Sequence, residues 1–251
     1  MFCEQGNNLK STFATEWHIE NNSADVVVAG SLLFWGLSVE FGETVQSAPV
    51  MKYKDTSILI FCKAPVPGTV KTRLIPAFGK DRACALHIAL SKRIIGEALE
   101  ANLGEVILFC WPDMSHEFFA SFNELRLVVQ EGRNLGERMH NAFNKVLAKK
   151  RSAVLIGTDC PTIDRYYLDR AMARLLHYDA VIGPAEDGGY GLIGLHTSHP
   201  NYFENLAWGS DHICSETCSR FNQAGLHWSL MPLIWDVDRP ADVTRYLSLG
   251  T

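Results

Sequence analysis

ILIFCKAPVPGTVKTRL, spanning Ile58–Leu74, joins a short apolar run to a rigid loop that carries two basic residues. The uninterrupted run Ile58–Phe61 is typical of a strand buried on both faces, as in a parallel sheet covered by helices. Lys71 and Arg73 follow two residues apart, beyond a loop rich in proline. Open α/β sheets bind ligands at the carboxyl ends of their strands, so these side chains are candidates to bind an anionic ligand such as a phosphate. The alternative is a solvated loop with two surface charges.

The composition is that of an ordinary soluble globular protein. Of the 251 residues, 47% are hydrophobic and 20% are charged, which allows a full core in one large or two small domains. The net charge is −5 and no run of lysine and arginine dominates any segment, so we expect no nucleic-acid partner. The seven cysteines are scattered, and several lie inside apolar runs, which favours reduced thiols and a cytoplasmic location.

Residues 1–54 differ from the rest of the chain and are interpreted as an N-terminal extension of unknown structure. Val26–Val39 is a stretch of fourteen residues without a charge, which is shorter than the ~20 apolar residues of a spanning helix. The flank before it is acidic, whereas a signal peptide begins with basic residues. We therefore expect no membrane span. A packed hairpin or helix, and an upstream extension with translation starting at Met51, both remain open.

From Ser57 onward, apolar runs alternate with segments of helical spacing. One segment carries Leu86, Leu90, Ile94 and Ala98 in steps of four, and a second begins its stripe at Leu135. This alternation predicts a mainly parallel sheet with helices on both faces. The predicted strands are Ile58–Phe61, Val106–Cys110, Leu125–Val129, Val154–Ile156 and Ala180–Ile182.

The C-terminal third follows a different pattern. Asp187-Gly188-Gly189 separates two apolar runs, and Asp-Gly is a strong turn signal, so a hairpin is expected there. Trp228–Leu233 is predicted to be a further strand. Pro240, at a first helical position, is expected to open a closing helix.

Asp159 is the best single candidate for a metal ligand. It follows the predicted strand Val154–Ile156 by three residues, at the edge where such sheets bind ligands. A hard cation, Mg²⁺ or Mn²⁺, bound to phosphate oxygens would be the natural partner of a carboxylate there. The alternative role for Asp159 is to cap the helix that follows, for which aspartate is favoured.

Two further pairs of acids could take part in chemistry. Glu186 and Asp187 lie in a glycine-rich bend, where either could act as a general base, and the alternative is an exposed turn. Asp236 and Asp238 point to the same side if the chain is extended, and they could complete a metal site with Asp159. Asp238 could instead cap the helix at Pro240. Three glycines are expected to let the backbone approach a substrate: Gly68, Gly188 and Gly189.

Five segments, taken in order, resemble a family of GT-A-like transferases. They are FCKAPVPGTVKTRL, NLGERM, LIGTDCPTI, GPAEDGGYGLIGL and WDVDRPADV. Members of this family are often labelled as glycosyltransferases linked to radical-SAM/selenodomain proteins or to arsenosugar biosynthesis. The resemblance spans Ser57 to Leu247 and implies the nucleotide-diphospho-sugar transferase fold, a three-layer α/β/α sandwich. It predicts a transferase domain over residues 55–251.

The same resemblance implies roles for individual residues. It makes Lys71 and Arg73 phosphate-binding residues, Asp159 the metal-binding acid in place of the DxD motif, and Asp238 a second metal or substrate carboxylate. Where relatives read Gly-Asp-Leu-Gly-Glu-Arg, this chain has asparagine, Asn134, in place of the acid. The Lys-Thr-Arg-Leu segment also occurs in phospholactate guanylyltransferase-like proteins, which share the fold and transfer nucleotidyl groups.

Three functions are therefore compared. The first is a metal-dependent glycosyltransferase with a nucleotide-sugar donor and a small-molecule acceptor, in which Asp159 and Asp238 hold Mg²⁺ or Mn²⁺. The second is a nucleotidyltransferase that uses the same groups on an NTP. The third is a nucleotide-binding module without catalysis. The sequence favours the first, because the acids at 186 and 187 could deprotonate an acceptor hydroxyl.

Overall fold

A computed structural model describes residues 16–22, 25–34, 37–45 and 51–249 of the chain. The chain divides into two compact units, residues 1–50 and residues 51–251. The predicted domain boundary at residues 54 and 55 remains a prediction. Among the described residues, none of the helices combines the length and the apolar character that a membrane crossing requires.

The first unit contains a three-stranded antiparallel sheet. Its strands are β1 (Glu16–Asn22), β2 (Asp25–Phe34) and β3 (Leu37–Val45), in the order β1-β2-β3. The described residues of the uncharged stretch Val26–Val39 therefore lie in strands β2 and β3, which pair in antiparallel fashion, and not in a helix. The predicted extension also includes residues 1–15, which lie outside the described part of the chain.

The second unit is built on a seven-stranded sheet. Its strands are β4 (Thr56–Lys63), β5 (Glu105–Trp111), β6 (Arg126–Val129), β7 (Ser152–Ile156), β8 (Ala180–Pro184), β9 (Tyr190–Leu195) and β10 (Trp228–Leu230). They lie in the order β10-β8-β9-β7-β4-β5-β6. Every strand pairs in parallel with its neighbours except β9, which is antiparallel to both β7 and β8. The mainly parallel sheet is thus confirmed, and so is the hairpin at Asp187-Gly188.

Helices cover both faces of this sheet. They are α1 (Ile75–Phe78), α2 (Lys80–Glu100), α3 (Glu117–Ala120), α4 (Leu135–Leu147), α5 (Arg165–Arg174), α6 (Ile213–Gln223) and α7 (Pro240–Leu247). Buried side chains of α2 and α5 pack with one face, and those of α4 and α6 pack with the other. The three-layer α/β/α sandwich expected from the sequence is confirmed.

The sequence pattern predicted the central strand β4 more accurately than the last strand β10. In β4, Ile58, Leu59 and Ile60 have no exposed surface, as expected for a strand covered on both faces. The last strand was predicted over Trp228–Leu233 but ends at Leu230. Pro232 follows and has no N–H to donate to a neighbouring strand, which accounts for the early end.

Removing residues 1–50 is expected to leave a folded second unit, because the seven-stranded sheet and its helices begin after that point. The change in the free energy of unfolding should stay below about 1 kcal/mol, which corresponds to less than ~4 °C in melting temperature. A deletion of residues 1–58 is the control, because it also removes the start of β4 and should not fold. A large fall in melting temperature for the shorter deletion would contradict the prediction.

Candidate functional site

A cavity of about 400 Å³ lies at the carboxyl ends of the central strands of the second unit. Its floor is apolar and includes Phe61, Leu155 and Ile193 from the sheet. Its rim is polar and carries both signs of charge. Three carboxylates line it, namely those of Asp159, Asp187 and Asp236, together with the cationic side chains of Lys63 and Arg138. The edge of the sheet predicted to bind a ligand therefore does contain a concave site.

Lys71 is a buried cation that contacts the cavity wall through Asp159. Its Nζ lies 2.7 Å from Asp159 Oδ1, and its side chain is 4% exposed, against 50% for that of Asp159. The backbone of Lys71 is left-handed, with φ of 47°. A non-glycine residue in that conformation costs on the order of 1 kcal/mol, and such residues cluster at functional sites. A buried charge requires a partner, so Lys71 and Asp159 hold each other in place.

Asp159 does not cap the helix that follows it. The capping residue of α5 is Asp164, whose side chain accepts a hydrogen bond of 2.7 Å from the backbone N–H of Tyr167. Asp159 therefore does not have the capping role that was the alternative to metal binding. Its carboxylate pairs with Lys71 and lines the cavity.

Arg73 and Asp238 form an ion pair with each other. Neither residue lines the cavity, and the side chain of Arg73 is 64% exposed. Asp238 does not cap α7, because the carboxylate that accepts hydrogen bonds at the start of this helix belongs to Asp242. The two residues assigned by resemblance to phosphate and metal binding thus neutralise each other beside the site.

Asp236 enters the cavity instead. Burial raises the pKa of its carboxyl to about 6, and the negative charges of Asp187 and Asp238 add to this shift. The next residue, Val237, donates its N–H to the carbonyl oxygen of Asp159 at 3.0 Å, which ties the two acidic segments together. The cavity therefore has a negative region at the end of β7 and the start of β9.

The two acids of the glycine-rich bend point to different places. Asp187 lines the cavity, and its Oδ1 accepts a hydrogen bond of 2.9 Å from the N–H of Gly189. Glu186 does not line the cavity and forms two contacts with Arg245, at 2.7 and 3.0 Å. Of the two predicted catalytic residues, only Asp187 faces the site.

The three predicted glycines also have different surroundings. Gly189 lines the cavity, whereas Gly68 lies in the loop before Lys71 with open space around it. Gly188 has φ of +86°, and a Cβ there would lie 2.0 Å from the carbonyl oxygen of Asp211. The absence of a side chain at Gly188 therefore lets the turn pack against the backbone before α6.

Gly188→Ala is expected to destabilise the second unit more than Gly209→Ala does. Both glycines have left-handed φ, but nothing lies within 4 Å of a Cβ at Gly209. The free energies of unfolding of the two variants should then differ by the cost of the steric clash at Gly188, about 2 kcal/mol or more. This corresponds to a melting temperature roughly 4–8 °C lower for Gly188→Ala than for Gly209→Ala. Equal melting temperatures for the two variants would show that the backbone of Asp211 yields at little cost.

The carboxylates of the cavity have the right chemistry for a hard divalent cation. Within the described ranges, no three side chains of His, Cys, Asp or Glu converge closely enough to hold an ion by themselves. Mg²⁺ in nucleotide enzymes is typically held by one or two carboxylates together with substrate phosphates. Asp159 and Asp236 fit that arrangement, because both line the cavity and both are hard carboxylate oxygen donors.

Sequence reasoning gave no role to several residues of the wall. Arg138 lies on α4 with its Cζ 3.3 Å from the centre of the Trp111 ring. Trp111 is the last residue of β5, so the rule that ligands bind at the carboxyl ends of strands could have identified it. Asn134, at the position where the resemblance implies an acid, caps α4 by accepting from the N–H of Glu137 at 2.9 Å. Asparagine caps a helix as well as aspartate does, so this departure keeps the local structure.

Comparisons with known proteins agree with this fold. Residues 94–210 match the model of the family DUF2064, described as an uncharacterized protein conserved in bacteria. A structure from Desulfovibrio desulfuricans G20, described as a candidate nucleotide-diphospho-sugar transferase, is 32% identical. The match covers 74% of this chain and 83% of that chain, with a TM-score of 0.69. No curated protein matches the sequence.

Two more distant structures share the fold alone. CMP:2-keto-3-deoxy-manno-octonic acid synthetase, solved with CTP, is 12% identical over 78% of this chain and 98% of that chain, with a TM-score of 0.51. 4-Diphosphocytidyl-2C-methyl-D-erythritol synthase from Anaerococcus prevotii is 9% identical over 78% of this chain and 99% of that chain, with a TM-score of 0.50.

Proposed function

We propose that this chain, which belongs to the DUF2064 family, is a metal-dependent glycosyltransferase that uses a nucleotide-sugar donor and a small-molecule acceptor. The observation that carries the proposal is the pairing of a buried cation with a half-exposed acid at the cavity. Lys71 and Asp159 stand 2.7 Å apart where the strands end, and Asp187 and Asp236 line the same cavity. The narrower label of a radical-SAM-associated or arsenosugar enzyme stays a prediction, as does a cytoplasmic location.

Lys71 is the residue proposed to bind the donor diphosphate. Lys71 does not itself line the cavity, so a phosphate would reach its ammonium group beside the half-exposed Asp159. An ammonium group has three N–H donors, and its contact with Asp159 uses one of them, which leaves donors for phosphate oxygens. Its burial strengthens the interaction, because a charge shielded from water attracts a phosphate more strongly than an exposed one. Arg73 adds positive charge to the same loop, although it is paired with Asp238.

Asp159 and Asp236 are the residues proposed to hold Mg²⁺ or Mn²⁺ with the diphosphate. When bound, the ion would neutralise the charge that develops on the leaving nucleoside diphosphate. Asp238, the second ligand expected from the sequence, would first have to leave Arg73. Asp236 needs no such change, because its side chain already faces the cavity.

Asp187 is proposed to orient and deprotonate the acceptor hydroxyl. The hydrogen bond from Gly189 to its Oδ1 fixes the carboxylate and leaves Oδ2 for the substrate. Glu186 is less suited to this role because both of its oxygens contact Arg245. A phosphate acceptor would already be an anionic nucleophile and would need no base, so Asp187 favours glycosyl transfer over nucleotidyl transfer.

The test is to identify the product that the purified protein releases from a panel of nucleotide sugars and NTPs with Mg²⁺ or Mn²⁺. Slow hydrolysis of the donor by water releases the same product, so the product can be identified without the true acceptor. We expect a nucleoside diphosphate from one of the sugar donors. Release of pyrophosphate from an NTP, with no diphosphate from any sugar donor, would identify a nucleotidyltransferase instead. Release of neither would point to a binding module.

A further inference from the structure

Trp208 is an aromatic residue of the cavity wall whose ring is held by its neighbours. The ring meets that of Tyr190 edge to face, with the ring centres 6.4 Å apart and the ring planes at 77°. The start of α4 lies against the same indole, since a Cβ on Gly136 would be only 3.0 Å from its Cζ2. One perpendicular contact covers a single face of an indole at most, so the other face stays clear of Tyr190.

The indole N–H of Trp208 is available to a ligand. Within residues 51–249 it has no hydrogen-bond partner, and its nitrogen is accessible to solvent. Trp228, which does not line the cavity, differs because its Nε1 donates to Asn222 Oδ1 at 2.8 Å. A sugar ring has C–H groups on its faces and hydroxyls around its edge, so an aromatic face with a free donor beside it suits a sugar.

Trp208 lies on the same side of the cavity as Asp187. The turn at Gly188 packs directly against the backbone of Asp211, three residues after Trp208. Tyr190, the aromatic neighbour of Trp208, begins β9, immediately after the same turn. The loop that carries Trp208 is therefore in contact with the turn that carries the proposed base.

The strand order puts the proposed diphosphate site between two sides of the cavity. Lys71 follows β4 and Asp159 follows β7, and these two strands are neighbours in the middle of the sheet. Beyond β7 lies the start of β9 with Tyr190, and beyond β4 lies β5, which ends at Trp111. A nucleotide sugar has its diphosphate in the middle, with the nucleoside at one end and the sugar at the other. The two ends of the donor therefore fit the two sides of the cavity.

We propose that Trp208 binds the glycosyl group of the donor by stacking, and that this group is a neutral hexose. The inference rests on the proposed function. In that reaction the acceptor oxygen bonds to the anomeric carbon as the bond from that carbon to the diphosphate breaks, and the hydroxyl proton passes to Asp187. The anomeric carbon must then lie near Asp187, so the sugar takes the side with Trp208 and the nucleoside takes the side with Trp111.

The charge on the Trp208 side of the cavity narrows the class of sugar. Asp187 and Asp236 both line this cavity at the start of β9 and the end of β7. Among the described residues that line the cavity, the cations are Lys63, His87 when protonated, and Arg138, which lie on β4, α2 and α4. A sugar with its own carboxylate would be repelled by the two acids, whereas a neutral hexose would not.

The test compares a nucleoside diphosphate with its sugar conjugates. The protein is first titrated in a calorimeter with UDP, GDP, ADP, CDP and dTDP in the presence of Mn²⁺. The glucose, galactose, mannose and glucuronate conjugates of the nucleotide that binds are then titrated in the same way. The measured quantity is the affinity for the conjugate divided by the affinity for the nucleoside diphosphate, because this ratio isolates the contribution of the sugar. For the wild type, we expect a neutral hexose to give a higher ratio than glucuronate does.

Trp208→Leu should lower this ratio by roughly 5- to 30-fold for the preferred hexose, the loss of one stacking contact and one neutral hydrogen bond. Trp208→Phe should keep part of the ratio, because phenylalanine retains an aromatic face and lacks the N–H. It also replaces one ring by another, so it provides the test if Trp208→Leu has a melting temperature too low for titration.

Two other tryptophans provide the comparisons. Trp111→Leu should weaken the nucleoside diphosphate and its conjugates alike and leave the ratio unchanged, because Trp111 lies on the nucleoside side. Trp228→Leu is the matched control outside the cavity, and it should bind every ligand as the wild type does.

Three results would overturn the inference and leave the proposed function intact. The first is an unchanged ratio in the folded Trp208 variants, whether or not their affinity for the nucleoside diphosphate falls. The second is a ratio that falls in Trp111→Leu and not in Trp208→Leu, which would put the sugar beside β5. The third is a wild type that prefers the glucuronate conjugate to every neutral hexose. Failure of the wild type to bind any nucleoside diphosphate would instead reject the proposed function, and it is measured in the first titration.

Discussion

Replacing Asp187 by asparagine is expected to lower the rate of donor turnover by roughly 10²- to 10⁴-fold, the range that a positioned general base contributes. The amide keeps the oxygen that accepts from Gly189, so the turn should be unchanged, but it cannot take up a proton. The measurement is the turnover rate with saturating donor, with donor affinity measured separately. Donor affinity should stay within a few-fold of wild type, because Asp187 is assigned to the acceptor.

Glu186→Gln is the matched control, one residue away in the same bend. Glu186 contacts Arg245 outside the cavity, and an exposed ion pair of this kind contributes about 0–1 kcal/mol to stability. We expect turnover close to that of wild type. The opposite pattern, with Glu186→Gln inactive and Asp187→Asn active, would mean that the bend rearranges before the reaction.

Lys71→Met should weaken binding of the nucleoside diphosphate by roughly 10- to 100-fold, the equivalent of a hydrogen bond to a charged group. Methionine fills the buried space of the lysine stem, and the half-exposed Asp159 can remain solvated without its partner. Affinity for the free nucleoside should change little, because the proposed contact is with phosphate oxygens. Calorimetric titrations with the two ligands measure the difference.

Arg73→Met is the comparison for that variant. It should also weaken binding of the nucleoside diphosphate more than binding of the free nucleoside. The loss should be smaller than for Lys71→Met, because Arg73 is largely exposed and already paired with Asp238. If Lys71→Met weakens nucleoside and diphosphate alike, the lysine is structural, and its pairing with Asp159 serves to hold the loop.

The fold could be predicted from the sequence because its determinants are local. The run Ile58–Phe61 is buried on both faces in β4, and the stripe with Met139 and Phe143 is the buried side of α4. Asp-Gly at 187 and 188 forms the predicted hairpin between β8 and β9. Each of these features is set by spacing or by turn chemistry within a few residues, which a single sequence records.

The site was harder to predict because its charges pair over long distances in the chain. Asp238 is 165 residues from its partner Arg73, and Glu186 is 59 residues from Arg245. The sequence predicted Asp236 and Asp238 on the same side of an extended segment. It could not show that Arg73 forms an ion pair with Asp238. Arg138 was missed for the same reason, since only the folded sheet brings α4 against the end of β5.

Metal-coupled binding of a nucleoside diphosphate by Asp159→Asn is the most direct test of the central claim, that this cavity holds a donor diphosphate together with a divalent cation. For the wild type, we expect calorimetry to give a higher affinity with Mn²⁺ than without it. Asp159→Asn keeps an oxygen for Lys71 but loses the charge that a hard cation requires, so the increase with Mn²⁺ should disappear. Affinity without metal should be retained or should rise, because Lys71 is no longer neutralised. An undiminished increase with Mn²⁺ in a folded Asp159→Asn variant would contradict the claim.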